Sequence, residues 1–208
     1  MNSETVEIEA KFYIQNPEPF KENLIRQGAK LVSERILERN WRFDTPSRTL
    51  TSKGEVLRIR EDRRFRLTYK RPISGTLERT EIEVEVQDST KTRLLLEALG
   101  FEVFYLYEKF RETFKLDDVE IVLDEVPYGC FVEIEGPSTR TIYDIAETLG
   151  LSWDRRVTST YLGLFEHLRK KLKLPFPHAT FEAFAGISEI SPEDLNLQDA
   201  FEIDPSRK

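Results

Sequence analysis

The sequence predicts an α+β fold: a closed eight-stranded antiparallel β-barrel tunnel with a charged lumen and helices packed outside. Two observations lead there. Segments with a two-residue alternation recur eight times along the chain, and in nearly every one the polar side consists of full charges. Residues two apart share one side of a strand, so each such strand has an apolar face and an ionic face. A third observation, the near balance of acids and bases on the ionic faces, is what a partly desolvated interior requires.

The first strand covers Val6–Tyr13, with Glu7, Glu9 and Lys11 on one side and Ile8, Ala10 and Phe12 on the other. A helix over Pro17–Gln27 follows and stops at Gly28. Val32–Phe43 is the second strand. In Glu55–Glu61, Arg58 and Arg60 oppose Leu57 and Ile59; in Phe65–Arg71, Arg66, Thr68 and Lys70 oppose Phe65, Leu67 and Tyr69. In Thr80–Gln87, Glu81, Glu83 and Glu85 oppose Ile82, Val84 and Val86. Ser89 is the expected N-cap of a helix over Thr90–Leu99 that ends at Gly100. Phe101–Phe114 carries Lys109 and Arg111 against Phe110, Val119–Val126 sets Asp124 against Leu123 and Glu125, and Cys130–Glu135 sets Glu133 and Glu135 against Val132 and Ile134. Helices over Thr141–Leu149, before Gly150, and over Arg156–Leu172 complete the body.

Glu7-Ile8-Glu9, Glu81-Ile82-Glu83 and Glu133-Ile134-Glu135 are each followed by a helix and then a glycine, which reads as one strand-then-helix device used three times. Unequal intervals between the copies exclude a solenoid. The character changes at Pro175. Residues 1–174 form the body, and 175–208 form an acidic extension broken by Pro175, Pro177, Pro192 and Pro205. The extension carries seven acids and two bases, and Phe181, Phe184, Ile187, Leu195, Leu197 and Phe201 give it docking capacity. It is expected either to lie against the body or a partner, or to be disordered.

Composition excludes several function classes. The 208 residues include 39% hydrophobic residues, 14 Phe and 7 Tyr, enough for a packed core without a disulfide or metal staple. Cys130 is the only cysteine, which removes disulfide frameworks and cysteine zinc sites. A net charge of −7 argues against bulk nucleic-acid binding. Met1-Asn2-Ser3-Glu4 shows no secretory n-region, and no segment reaches the roughly 18 apolar residues of a membrane span. A cytoplasmic protein is expected, with oligomeric state, a homodimer included, left open.

An open sheet with its charged face in water would produce the same alternation. Three features favour closure. The polar faces hold Glu, Arg and Lys with little Ser, Thr, Gln or Asn. Like charges stacked on one face, as in Glu81/Glu83/Glu85 or Arg58/Arg60, need counter-charges opposite. Eight strands suffice to close a small barrel. Closure sets eight acids (Glu7, Glu9, Glu81, Glu83, Glu85, Asp124, Glu133, Glu135) against seven bases (Lys11, Arg58, Arg60, Arg66, Lys70, Lys109, Arg111). Carboxylates paired two apart are hard oxygen ligands for Mg²⁺ or Mn²⁺. Facing arginines and lysines suit phosphate oxygens, the first as bidentate forks and the second as point charges.

These residues resemble the CYTH superfamily of triphosphate tunnel metalloenzymes, which covers class IV adenylyl cyclases, thiamine triphosphatases and inorganic triphosphatases. The resemblance is carried by Glu7-Ile8-Glu9-Ala10-Lys11, Leu57-Arg58-Ile59-Arg60, Leu67-Thr68-Tyr69-Lys70, Glu81-Ile82-Glu83, Lys109-Phe110-Arg111, Leu123-Asp124-Glu125-Val126 and Phe131-Val132-Glu133-Ile134-Glu135, in family order. It implies Glu7, Glu9, Asp124, Glu133 and Glu135 as metal ligands, with Asp124 alternatively orienting water. It implies Lys11, Arg58, Arg60, Lys70, Lys109 and Arg111 as the triphosphate clamp, with Glu81 and Glu83 in support. Divalent-metal-dependent hydrolysis of a triphosphate small molecule is the implied activity; an adenylyl cyclase and a non-catalytic polyphosphate- or nucleotide-binding module are the alternatives. Asn40-Trp41-Arg42-Phe43-Asp44 carries Arg42 where the family often has a tyrosine. Arginine cannot accept a proton at working pH. Lys11 or Lys70, crowded by other cations, is then the expected base.

Overall fold

The computed structural model describes residues 5–202. Met1–Glu4 and the tail residues Asp204, Pro205, Arg207 and Lys208 lie outside the described residues. Eight strands, β1 (Thr5–Ile14), β2 (Lys30–Asp44), β3 (Val56–Glu61), β4 (Phe65–Pro72), β5 (Glu78–Val86), β6 (Glu102–Leu116), β7 (Val119–Val126) and β8 (Gly129–Glu135), form a closed barrel in the order β1-β5-β4-β3-β2-β6-β7-β8. Every pairing is antiparallel. The helices are α1 (Pro17–Arg26), α2 (Thr49–Ser52), α3 (Ser89–Ala98), α4 (Thr139–Thr148), α5 (Tyr161–Leu172) and α6 (Pro192–Leu195). Among the described residues no helix is long and apolar enough to cross a membrane.

The alternation works as expected on the outside. Ile8, Ala10, Phe12 and Ile14 of β1 join Phe114, Ile121, Val132 and Ile134 in a core covered by Phe20 and Leu24 of α1 and Ile142 and Ala146 of α4. Each such Ile, Leu or Phe contributes roughly 1.5–3 kcal/mol on burial. A smaller core sets Leu96 of α3 on Phe43 and Ile59. The strand-then-helix device is present three times, and α1, α3 and α4 each run into a glycine of positive φ: Gly28, Gly100 and Gly150. At Gly150 a Cβ would also stand 2.8 Å from the Glu202 carbonyl oxygen, so only glycine fits both the turn and the strand bond beside it.

Three expectations change. Asp88, not Ser89, caps α3, accepting from the Lys91 N–H at 2.9 Å; Ser89 is the first helical residue. The last long helix begins at Tyr161 rather than Arg156, because the residues before it are extended. Val157 donates to the Lys11 carbonyl at 2.7 Å, and Thr160 then caps α5. That extended piece has a function in the barrel. β5 pairs with β1 only over Thr5–Ile8, so the second half of β1, which pairs with β8 on its other side, has a free edge. Arg156 bridges to Phe12 there, and Ala200 donates to the Tyr13 carbonyl at 2.9 Å.

The third change concerns α5, which does not sit outside. Tyr13, Tyr105, Tyr107 and Phe131 share the inward side with Lys11, Lys109 and Glu133, and they pack on Tyr161, Leu164, Phe165 and Leu168 of α5. Aromatic packing thus fills the lumen side at one end of the barrel. The extension is laid against the body, one of the arrangements expected for it, and shares this core. Ala179 pairs with Tyr107, and Phe184 and Leu195 are buried beside Tyr128 and Phe165. Its acids pair with body cations, Asp194 with Lys171 at 3.2 Å and Glu202 with Arg155 at 2.8 Å. No break in packing separates residue 174 from residue 175.

Candidate active site: a charged tunnel

Inside the barrel lies a cavity of about 960 Å³, lined from Asp62–Arg64 at the β3–β4 turn to Thr76–Leu77 at the β4–β5 turn and the 156–162 segment. Lys11, Arg58, Arg60, Lys70, Lys109 and Arg111, the residues expected to form the clamp, all line it, as do Glu7, Glu9, Glu81, Glu83, Glu133 and Glu135. Strand parity places them. The register sets Lys11 beside Glu133 on β1–β8, Arg58 beside Thr68 and Arg60 beside Arg66 on β3–β4, and Lys70 beside Glu81 on β4–β5.

Most of these charges are paired. Asp124 is wholly buried and accepts from Lys109 Nζ at 2.8 Å, Arg111 Nε at 2.7 Å, Arg111 Nη2 at 2.6 Å and the Tyr161 hydroxyl at 2.8 Å. Arg111 also donates to Glu133 at 2.6 Å, and Lys11 lies 3.4 Å from Glu133 and 4.0 Å from the centre of the Tyr161 ring. Lys70 donates to Glu7 and lies 3.5 Å from Glu81. Arg60 donates to Glu83 at 2.9 Å, Thr68 holds the same carboxylate at 2.8 Å, and Arg66 pairs with Asp62. Burial works to raise the Glu38 carboxyl, but Lys109, Arg111, Arg60 and Arg58 hold it down at about 2. Glu133 is likewise held well below the usual range, against burial, by Lys11, Lys109 and Arg111.

Several lining charges have no opposite charge within 4.0 Å among the described residues, Arg63, Glu78, Arg79 and Arg156 included, and two groups of these bear on the chemistry. Glu9 and Glu135 face each other across β1–β8, and Glu120 stands beside Glu135 on β7. Among the described residues none of the three has a cation within 4.0 Å. Burial, and then repulsion from Glu7, Glu120 and Glu9, push Glu135 up to about 7 against the pull of Lys70. At the other pole, Arg42 and Arg58 are direct neighbours across β2–β3 with no carboxylate partner.

Among the described residues no three carboxylate, histidine or cysteine side chains converge closely enough to hold an ion. The donor chemistry of Glu9, Glu120 and Glu135 nevertheless fits a hard divalent cation: all are carboxylate oxygens, and their mutual repulsion is what such an ion relieves. Of the five expected ligands, Glu9 and Glu135 are free, Glu7 is bonded to Lys70, Glu133 to Arg111, and Asp124 is closed off behind Lys109, Arg111 and Tyr161. Glu85, counted in the lumen from its parity, is at the exposed end of β5 with Arg64, 3.1 Å away. Lys70 meets two carboxylates, those of Glu7 and Glu81.

Sequence reasoning missed Glu38, Glu120, Tyr107 and Tyr161. The signal for Glu120 was present, since it alternates with Val122 and Asp124 on β7. In β2, Arg39 points outward to Glu108 at 2.9 Å and obscures the inward series Glu38, Asn40, Arg42. Outside the tunnel, His178 accepts from the Leu106 N–H at 3.3 Å as a loop residue, and burial raises the Cys130 thiol to about 11, an unreactive state.

Residues 5–157 match the model of the CYTH domain. The chain belongs to the CYTH domain family. A Methanocaldococcus jannaschii CYTH relative, named "putative adenylate cyclase", is 31% identical over 172 residues, covering 76% of this chain and 98% of its own. A solved Pyrococcus horikoshii protein is 31% identical with a TM-score of 0.64, covering 77% of this chain and 98% of that one. A Hippeastrum protein, described as an adenylyl cyclase with a dominant triphosphatase activity, is 17% identical with a TM-score of 0.57 over 77% of this chain and 95% of that one; this likeness speaks for the CYTH fold alone.

Proposed function

We propose that this CYTH domain hydrolyses a triphosphate inside its tunnel with Mg²⁺ or Mn²⁺. The observation that carries the reading is the separation of charge in the lumen. Among the described residues, Glu9, Glu120 and Glu135 on one side and Arg42 and Arg58 on the other have no opposite charge within 4.0 Å, and clamp cations between them are fixed by buried acids. A polyanion carrying a divalent cation complements that pattern. Arg58, Arg60, Lys11, Lys70, Lys109 and Arg111 bind non-bridging phosphate oxygens, and Asp124, Glu133, Glu81 and Glu83 hold those cations in position. Glu9 and Glu135, with Glu7 and Glu120 beside them, hold the ion. The chemistry a divalent ion supplies when bound is neutralisation of phosphoryl charge and polarisation of the phosphoryl group under attack. Lys11 and Lys70 act in this reading by gripping phosphate.

The named relative at 31% identity supports a second reading, conversion of ATP to cyclic AMP and pyrophosphate. One assay separates the two. Protein is incubated with Mg²⁺ or Mn²⁺ and either tripolyphosphate or ATP, and the products are resolved. We expect orthophosphate, with tripolyphosphate preferred, because the lining residues are predominantly charged. Cyclic AMP as the main product, or no turnover between pH 7 and 10 with either metal, overturns the hydrolytic reading.

A further inference from the structure

Arg42 and Arg58 face each other as register partners on β2 and β3, both on the inward side and both lining the cavity. Arg42 is only 7% exposed. Like charges directly opposite each other on a sheet are destabilising, and a buried cation without a counter-ion is more so. The other cations expected in the clamp, and Arg66 beside them, meet this cost with a carboxylate: Lys11, Arg60, Arg66, Lys70, Lys109 and Arg111 each have one within 4.0 Å. Among the described residues Arg42 and Arg58 have none. Asp44, at the end of the same strand, is committed to the N–H groups of Thr45, Leu50 and Thr51 and to the Thr51 hydroxyl. Arg42 reaches only the Glu55 carbonyl at 3.4 Å, and its Nε has no partner.

The surrounding polar groups are equally unsatisfied. Arg58 donates to the Tyr107 hydroxyl at 3.3 Å, which leaves the phenolic hydrogen free to donate in turn. Asn40, two residues before Arg42 on the inward face and in register with both Arg60 and Tyr107, is fully buried with neither amide atom hydrogen-bonded. A wholly buried amide without a partner is rare in a folded protein. Two guanidinium forks and a free phenol hydrogen line the cavity at one place, with the unpartnered Asn40 amide buried beside them, and such donors suit phosphoryl oxygens.

We propose that Arg42, with Arg58, forms a subsite for the terminal, doubly charged phosphoryl group of the substrate. This rests on the triphosphate reading above and deepens it. Arg42 is an anion-binding residue here, and the like-charge repulsion stored between it and Arg58 is relieved when the phosphoryl group enters. Two consequences follow from one side chain. Removing its charge weakens the ligand and relaxes the ligand-free protein.

The test measures tripolyphosphate affinity by calorimetry in the presence of Mg²⁺, together with the melting temperature without ligand, for the full chain and for Arg42→Gln, Arg42→Lys and Arg58→Gln. We expect Arg42→Gln to lose at least about tenfold in affinity, the scale of one charge-assisted contact, while melting higher than the parent without ligand. Arg42→Lys keeps affinity within a few-fold, and Arg58→Gln repeats the pattern of Arg42→Gln. Unchanged affinity in Arg42→Gln, or a lower ligand-free melting temperature in both glutamine variants, overturns the subsite and leaves the triphosphate reading standing. A parent protein that fails to bind tripolyphosphate overturns both.

Discussion

Asp124→Asn separates a structural carboxylate from a metal ligand by the sign of its effect. Asp124 accepts four hydrogen bonds, three from cations, in a site closed to solvent. Asparagine keeps the shape and one acceptor oxygen but removes the charge. Breaking a buried pair from one side costs about 3–5 kcal/mol. Both cations retain a second carboxylate, Glu133 at 2.6 Å from Arg111 and Glu38 at 3.6 Å from Lys109. The loss should therefore fall near the lower end, about 3 kcal/mol. A domain of this size commonly has roughly 5–15 kcal/mol in hand and would stay folded. Urea denaturation of the metal-free protein reads the effect directly. A ligand in a repulsive acid cluster predicts the reverse, since losing one carboxylate there stabilises the metal-free state. Metal-free Asp124→Asn as stable as the parent, or more stable, would refute the positioning role argued above.

Glu9→Gln and Glu135→Gln are expected to abolish Mg²⁺- or Mn²⁺-dependent turnover while the metal-free protein melts no lower than the parent, because each removes repulsion at the acid pole. Persistent turnover in both at limiting metal would remove them as ligands. Ending the chain at Leu174 is expected to give an unstable or insoluble protein, since it strips Ala179, Phe184, Leu195 and Ala200 from the core. Phe184→Ala alone should cost about 3–5 kcal/mol by urea denaturation, and a soluble, active truncated chain would show that the body holds together without them.

The barrel was legible because a strand facing a charged lumen writes its parity in full charges, as β1, β3, β5 and β8 do. β2 does not: the outward Arg39, tied to Glu108, leaves the Glu38–Asn40–Arg42 series without an apolar counterpart on the other side. Glu38, which binds the cations at the centre of the tunnel, was lost with it. Parity also cannot report depth. It places Asp124 and Glu9 on the same inward surface, yet one is sealed behind Tyr161 and the other is free, and only the packing of α5 decides which. The expected helix over Arg156–Leu172 includes Val157, Thr158, Ser159 and Thr160, which are poor helix formers and lie outside α5. The Val157 N–H goes instead to the Lys11 carbonyl of β1, a bond set by a residue about 145 positions earlier and invisible in any local window.

That bond has a consequence for how the molecule is made. The β1 edge left open by β5 is closed by the segment at residues 156–157 and by Ala200, so the wall of the tunnel is completed by chain far from the strand it seals. Contacts of such sequence separation form slowly, because the entropy of closing a long loop must be met before any contact compensates it. During synthesis β1 emerges first and waits with one edge unprotected until the far end of the barrel follows. An exposed strand edge is a template for pairing with other chains. Aggregation during refolding should therefore depend on the last 25 or so described residues far more than their place at the surface of the body suggests.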